Sequence, residues 1–243
     1  MAGLTWEVFF MLTQSSQLRT YGKKAAAVQR VAWLVLVTLM WLAFLAPFDM
    51  AAARSLQIVA LGDSLTAGFG LPAAAAFPAR LESALRAKGY DVSIINAGVS
   101  GDTASGGLAR VDWSVPQGTN AAILELGAND ALRGIDPKIT KAALDQILTK
   151  LSARHIPVLL AGMLAPPNMG ADYVRAFDAI YPALASTHRV VFYPFFLDGV
   201  ITNASLNQFD GMHPNAAGVD MIVRRILPSV EELIARARTS RGS

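Results

Sequence analysis

The sequence predicts an α/β fold: one domain of three layers, a parallel sheet of about five strands with helices on both faces. Three observations lead there. Five short runs are almost continuously apolar, which is the pattern of parallel strands buried on both faces. Amphipathic helical stretches separate most of these runs, and this alternation produces a parallel sheet. About 190 residues follow residue 53, enough for one sizeable core, with no internal repeat or linker to mark a second domain.

The strands are read in order at residues 57–61 (QIVAL), 92–96 (VSIIN), 121–126 (AAILEL), 157–160 (PVLL) and 189–193 (RVVFY). A helix over 78–88 repeats Leu81, Ala84 and Leu85 and stops before Gly89, a residue suited to the left-handed position after a helix. A second, over 136–154, opens with Asp136 as N-cap and Pro137 at its first position, then spaces Ile139, Ala143, Ile147 and Leu151 along one side. A third, over 171–184, carries Tyr173, Phe177, Ile180 and Leu184. The last, over 219–237, carries Val219, Ile222, Val223, Ile226, Val230 and Leu233, with a kink or break expected at Pro228. Residues 239–243 read as a disordered tail.

Residues 1–53 stand apart from this domain, which covers 54–238. Arg19, Lys23, Lys24 and Arg30 precede an apolar stretch over 31–47, and Ala51 and Ala53 supply small residues before Arg54. Basic flank, apolar core and A-x-A pattern describe a secretory signal peptide. The apolar core falls short of the roughly 20 residues of a membrane span. The expectation is cleavage after Ala53 and export to the periplasm or beyond, with an uncleaved anchor, or a start at Met11, as alternatives.

The chain of 243 residues has 21 lysines and arginines against 18 aspartates and glutamates; beyond residue 53 the balance is 17 to 16. A domain this near neutrality offers no electrostatic case for nucleic acid. The absence of cysteine excludes disulfides, thiolate metal sites and a cysteine nucleophile.

Ligands of an open parallel sheet bind beyond the carboxyl ends of its strands. Five segments fall there: 62–65, 97–102, 127–130, 161–172 and 194–214. Among them Ser64, in "LGDSLTAGFG", reads either as a nucleophile or as the N-cap of a helix. The three histidines sort by the same rule. His155 and His188 directly precede strands, at the amino edge; His213 follows the last strand, on the side of Ser64. Asp210 lies three residues before His213, so its carboxylate can hold one imidazole nitrogen while the other faces the serine. Ser64, Asp210 and His213 are therefore the candidate catalytic residues. For the oxyanion the candidates are the Ser64 and Gly101 backbone N–H groups and the Asn129 side-chain amide.

Other readings of these residues are weaker. Asp63 suits a turn-supporting role better than that of an acid, and Asp130 reads as structural. Asp210 and His213 could ligate a metal, yet no third histidine or cysteine is near in sequence. Neither G-x-x-x-x-G-K-[ST] nor G-x-G-x-x-G occurs, so Gly62, Gly68 and Gly70 do not make a phosphate loop. Trp113 and the aromatic run over 192–196 suit core or lid packing. Phe69, Leu71, Pro72, Met163, Pro166, Pro167, Met169 and Met212 sit in loops of the catalytic edge, where apolar groups are costly in water unless covered; they are expected to line a groove for an acyl chain.

With these residues in place the chain resembles the SGNH, or GDSL, hydrolases. Gly62-Asp63-Ser64-Leu65 matches the first block of that family, Gly101 in "NAGVSGDT" the second, Asn129 in "GAND" the third, and Asp210 with His213 in "DGMHP" the last. The resemblance spans roughly residues 58–233, and "GANDALRG" and "PFFLDGV" look like the branch of exported bacterial arylesterases, acyl-CoA thioesterases and lysophospholipases. It implies a flavodoxin-like SGNH-hydrolase fold and hydrolysis of carboxylic esters and thioesters through an acyl-enzyme. It also implies a small-molecule acyl substrate, no metal or cofactor and no obligatory protein partner, in a monomer. Deacetylation of a polysaccharide on the same site, and a non-catalytic binding module on the same fold, are the rival readings.

Overall fold

The computed structural model describes residues 55–241, together with residues 33 and 36–38. The chain divides into two compact units, Met1–Ala53 and Arg54–Ser243. The expected signal peptide lies, apart from those four residues, outside the described residues. Among the described residues no helix is long and apolar enough to cross a membrane.

Five strands form one sheet: β1 (Leu56–Gly62), β2 (Val92–Gly98), β3 (Ala121–Glu125), β4 (Val158–Ala161) and β5 (Val191–Tyr193). All pairings are parallel, in the order β2-β1-β3-β4-β5. Chain order reverses at β1, between β2 and β3, which is the switch point where an open sheet of this kind leaves a crevice. Ile58, Val59, Ile123, Leu124, Leu159 and Leu160 are fully buried, as expected for central strands covered on both faces.

The helices are α1 (Ser64–Ala67), α2 (Phe77–Ala87), α3 (Ala104–Ser114), α4 (Ala128–Leu132), α5 (Pro137–Ala153), α6 (Ala171–Asp178), α7 (Ile180–His188) and α8 (Ala216–Arg241). α2 and α8 pack together on one side of the sheet; α3, α5 and α7 pack together on the other. Phe77, Leu81 and Leu85 from α2 meet Ile222, Ile226, Val230 and Leu233 from α8 in a single core. Asp136 caps α5 as expected, its side chain accepting from the Lys138 N–H. Ile139 is 53% exposed; the buried face of α5 begins at Thr140 and its apolar stripe at Ala143.

Four expectations need correction. α3 escapes the sequence reading because Gly106 and Gly107 read as loop. Gly107 is there for close approach: a Cβ on it would come 2.2 Å from Leu126 Cδ1. Trp113, on the same helix, is 73% exposed and packs neither a core nor a lid. The helix expected over 171–184 divides at Ala179, because Pro182 has no N–H for the Asp178 carbonyl. The terminal helix is not broken at Pro228 and continues to Arg241, so residues 239–241 are helical rather than a disordered tail. Thr239 and Ser240 hydroxyls donate to the carbonyls of Ala235 and Arg236 along it.

Candidate active site

β1 ends at Gly62 and turns directly into α1, whose first residue is Ser64. The N-cap is Asp63, with Oδ1 accepting from the Leu65 N–H at 2.9 Å. Capping is therefore done by the neighbouring carboxylate, and the Ser64 hydroxyl is left for another partner. That partner is His213: Nε2 lies 2.9 Å from Ser64 Oγ. On the other side of the ring, Nδ1 lies 2.6 Å from Asp210 Oδ2. Residues separated by almost 150 positions thus form one hydrogen-bonded chain.

The loop that carries the imidazole is built by local chemistry. Asp210 Oδ1 accepts from the backbone N–H groups of Met212 and His213, and Gly211 takes a φ of 71° that closes the turn. Those two N–H bonds, reinforced by His213, lower the Asp210 carboxyl to about 2, so it is a carboxylate at neutral pH. Gln208 ties the loop to the turn after α1 by donating to the Phe69 carbonyl at 2.6 Å. The Phe69 ring lies against the imidazole, centroids 4.5 Å apart.

The oxyanion candidates stand in the segments that follow β1, β2 and β3. Ser64 N–H opens a helix and has no intrahelical acceptor. Gly101 has a φ of 81°, and among the described residues its N–H donates to no protein group. Asn129 lies between them: its amide donates to Asp63 Oδ2 at 3.1 Å and to the Asp102 carbonyl at 3.0 Å, each beside one backbone donor. His155 and His188 line a different cleft, of about 810 Å³, at the amino edge of the sheet, and His188 pairs with Asp145 at 2.6 Å.

Beside Ser64 and His213 opens an apolar cleft of about 590 Å³. Met163, Pro166, Pro167 and Met212 line it as expected, with Ala131, Leu132, Leu164, Phe195, Leu197 and Ile201. Phe69, Leu71, Pro72 and Met169 do not. Phe69 covers His213, Leu71 packs against the core, and Met169 lies near Gly134. Pro72 is exposed, and all four lie outside the cleft, which residue type and loop position alone do not reveal.

Two buried groups behind the site were not singled out. Arg110 inserts its guanidinium beneath the loop after β2. It donates to Asp102 Oδ2 at 2.7 Å and to the carbonyls of Ala97 and Gly62 at 2.8 Å each, joining the ends of β1 and β2 to the segment that carries Gly101. Glu125, fully buried, lies under the nucleophile turn with Oε2 accepting from the Thr66 hydroxyl at 2.6 Å. Among the described residues its Oε1 has no partner. Burial first, and then the neighbouring Asp63 charge, hold its carboxyl well above the ordinary glutamate range. The available signal was an acid ending an otherwise apolar strand. Asp130, as expected, is structural: it accepts from the Ala104 N–H and the Thr140 hydroxyl. Among the described residues no group of three or more His, Cys, Asp or Glu is placed to hold a metal ion.

An activatable hydroxyl at the switch point of a parallel sheet, with an imidazole and a carboxylate behind it, defines a serine hydrolase. The model of the GDSL-like Lipase/Acylhydrolase family matches residues 60–221, and the chain belongs to that family. Its relatives include Esterase TesA of Pseudomonas aeruginosa, 37% identical over 76% of this chain and 92% of that protein. Another is Thioesterase 1/protease 1/lysophospholipase L1 of Escherichia coli K12, 40% identical over 77% and 88%. Among solved structures, AlinE4, an SGNH-hydrolase family esterase, superposes with a TM-score of 0.64 at 46% identity, covering 74% of this chain and 97% of its own.

Proposed function

We propose that this protein hydrolyses carboxylic esters and thioesters of acyl chains, with Ser64 as nucleophile, His213 as general base and acid, and Asp210 as the group that orients the imidazole. The observation that carries this reading is the chain Ser64 Oγ–His213 Nε2 at 2.9 Å and His213 Nδ1–Asp210 Oδ2 at 2.6 Å. The names of its relatives, esterase and thioesterase/lysophospholipase, support the same bond types.

Ser64 Oγ attacks the acyl carbonyl carbon as His213 Nε2 takes its proton; Asp210 stabilises the imidazolium through Nδ1–H. The carbonyl oxygen becomes an oxyanion held by the Ser64 and Gly101 N–H groups and the Asn129 amide, which exchanges one of its resting acceptors for it. His213 then gives the proton to the departing alkoxide or thiolate, leaving an ester on Ser64. Water, deprotonated by the same imidazole, repeats the sequence and releases the acid. The apolar cleft receives the acyl chain, which favours lipid-like substrates over an acetylated polysaccharide.

The basic flank, apolar core and A-x-A pattern of residues 1–53 support export of the domain. It is taken to act as a monomer on small acyl substrates, with no partner chain or nucleic acid. A panel of nitrophenyl esters, acyl thioesters, lysophospholipids and acetylated xylan, with the Ser64→Ala protein as blank, tests the reading. Turnover of the first three that vanishes in the blank is expected. Release of acetate from xylan alone would replace it with the deacetylase.

A further inference from the structure

We propose that Arg133 selects substrates whose leaving group carries a phosphate; the proposal rests on the ester-hydrolase reading above and narrows its substrate class. Arg133 is the residue that ends α4, the helix that holds Asn129, and its backbone N–H donates to the Asn129 carbonyl. Its side chain crosses toward the loop after β2, where Nη2 donates to the Gly101 carbonyl at 2.8 Å. One contact anchors the guanidinium beside the oxyanion donor, and the rest of its planar fork of donors faces solvent.

Among the described residues Arg133 shares the lack of a counter-ion with Arg154, Arg189, Arg224 and Arg238; what sets it apart is that it carries this unpaired charge against the Gly101 carbonyl. Arg110 is paired with Asp102, Arg175 with Asp172 and Arg225 with Asp198. Among the described residues no carboxylate lies within ion-pair distance of Arg133. A full positive charge therefore stands at the rim, and its free edge matches phosphate bidentately.

Its position fits the leaving group rather than the acyl chain. The cleft is lined by residues that follow β1, β3, β4 and β5, and by none that follows β2. With the acyl chain in that cleft and the oxyanion on its donors, the third substituent of the tetrahedral carbon must leave the cleft. It passes His213 Nε2, which protonates it, and emerges at the rim that includes Gly101 and the Arg133 guanidinium. A phosphate a few bonds from the scissile oxygen comes within reach there. Lysophospholipid headgroups and coenzyme A both offer phosphate on the leaving side, at different distances.

The test compares two matched pairs below their aggregation concentrations: octanoyl lysophosphatidic acid with octanoylglycerol, and octanoyl-coenzyme A with the octanoyl thioester of N-acetylcysteamine. The readout is the ratio of kcat/KM, phosphate-bearing over phosphate-free, so any general cost of losing the Gly101 contact cancels. In Arg133→Gln the ratio should fall about tenfold in at least one pair, with Arg133→Lys retaining much of it. In the unaltered protein that same ratio should fall with added salt, a dependence that Arg133→Gln loses. The pair that responds identifies the source of the phosphate. Ratios unmoved in both pairs, including the case where all four rates fall together, would overturn the proposal and leave Arg133 as a prop for the Gly101 loop. Failure to hydrolyse even the two phosphate-free substrates would overturn the ester-hydrolase reading with it.

Discussion

Asn129 donates its side-chain amide to Asp63 Oδ2 at 3.1 Å, so the residue beside the nucleophile also aims the proposed oxyanion donor. Asp63 does two things at once: Oδ1 caps the helix that begins at Ser64, and Oδ2 fixes the amide of a residue 66 positions away. Asn129→Ala should lower kcat on the order of 10²–10³-fold with little change in KM, because the lost bond forms mainly in the transition state. Steady-state kinetics on a short nitrophenyl ester checks this; an equal loss in KM alone would assign Asn129 to substrate binding.

Asp63 lies in a setting that disfavours its charge. Burial raises its carboxyl from 3.8 to about 6, against the pull of the Leu65 N–H and the Asn129 amide. A raised pKa means that the folded state holds the proton more tightly than the unfolded chain does. Stability should therefore fall as pH rises from about 4 to about 6, and the deficit should persist at neutral pH. Asp63→Asn removes that slope but turns an amide N–H toward Asn129. Denaturant unfolding from pH 4 to 7 should show a flatter curve for the variant, together with a kcat about tenfold lower. A variant as active as the parent would detach Asp63 from the oxyanion donor.

Asp210→Asn preserves the turn, since the new amide oxygen can still accept from Met212 and His213, but presents a donor to His213 Nδ1. The imidazole then takes the wrong tautomer, and kcat should fall about 10⁴-fold with no loss of thermal stability beyond a few degrees. The parent carboxyl, lowered to about 2, should contribute stability above pH 4 that disappears as pH drops toward 2. Activity near wild type in the variant would remove Asp210 from the relay.

Arg110 is buried with Asp102 and bridges two strand ends. Arg110→Met leaves that carboxylate and two carbonyls without their donor, which should cost about 3–5 kcal/mol of unfolding free energy. Chemical denaturation measures it, and a cost under about 1 kcal/mol would mean that water replaces the guanidinium.

The acyl cleft predicts a chain-length profile. Ile201, in the segment after β5, lines the cleft. Rates over nitrophenyl acetate to decanoate should peak at a medium chain, and Ile201→Trp should lower the decanoate-to-acetate ratio several-fold by taking up cleft volume. A steady decline from acetate in the parent would mean that the cleft does not receive the chain.

The sheet and the candidate triad were legible because their signals are categorical. Parallel strands buried on both faces need unbroken apolar runs, and only His213 of the three histidines follows a strand rather than preceding one. Long-range packing hid the rest. Gly106 and Gly107 weaken a helix locally, yet Leu126 needs the space that Gly107 leaves. Glu125 occupies a strand position that composition assigns to an apolar residue, and its partner Thr66 is known only once β1 and β3 lie side by side. Phe69 belongs to the loop set expected to touch substrate, but its ring lies tilted against His213 instead.

The central claim, that Ser64 is activated by His213, is tested most directly by a fluorophosphonate probe followed by mass mapping of the labelled peptide. The account predicts stoichiometric labelling on Ser64 of the folded protein, abolished in His213→Ala. A folded protein that stays unlabelled, or carries the label on another serine, would contradict it.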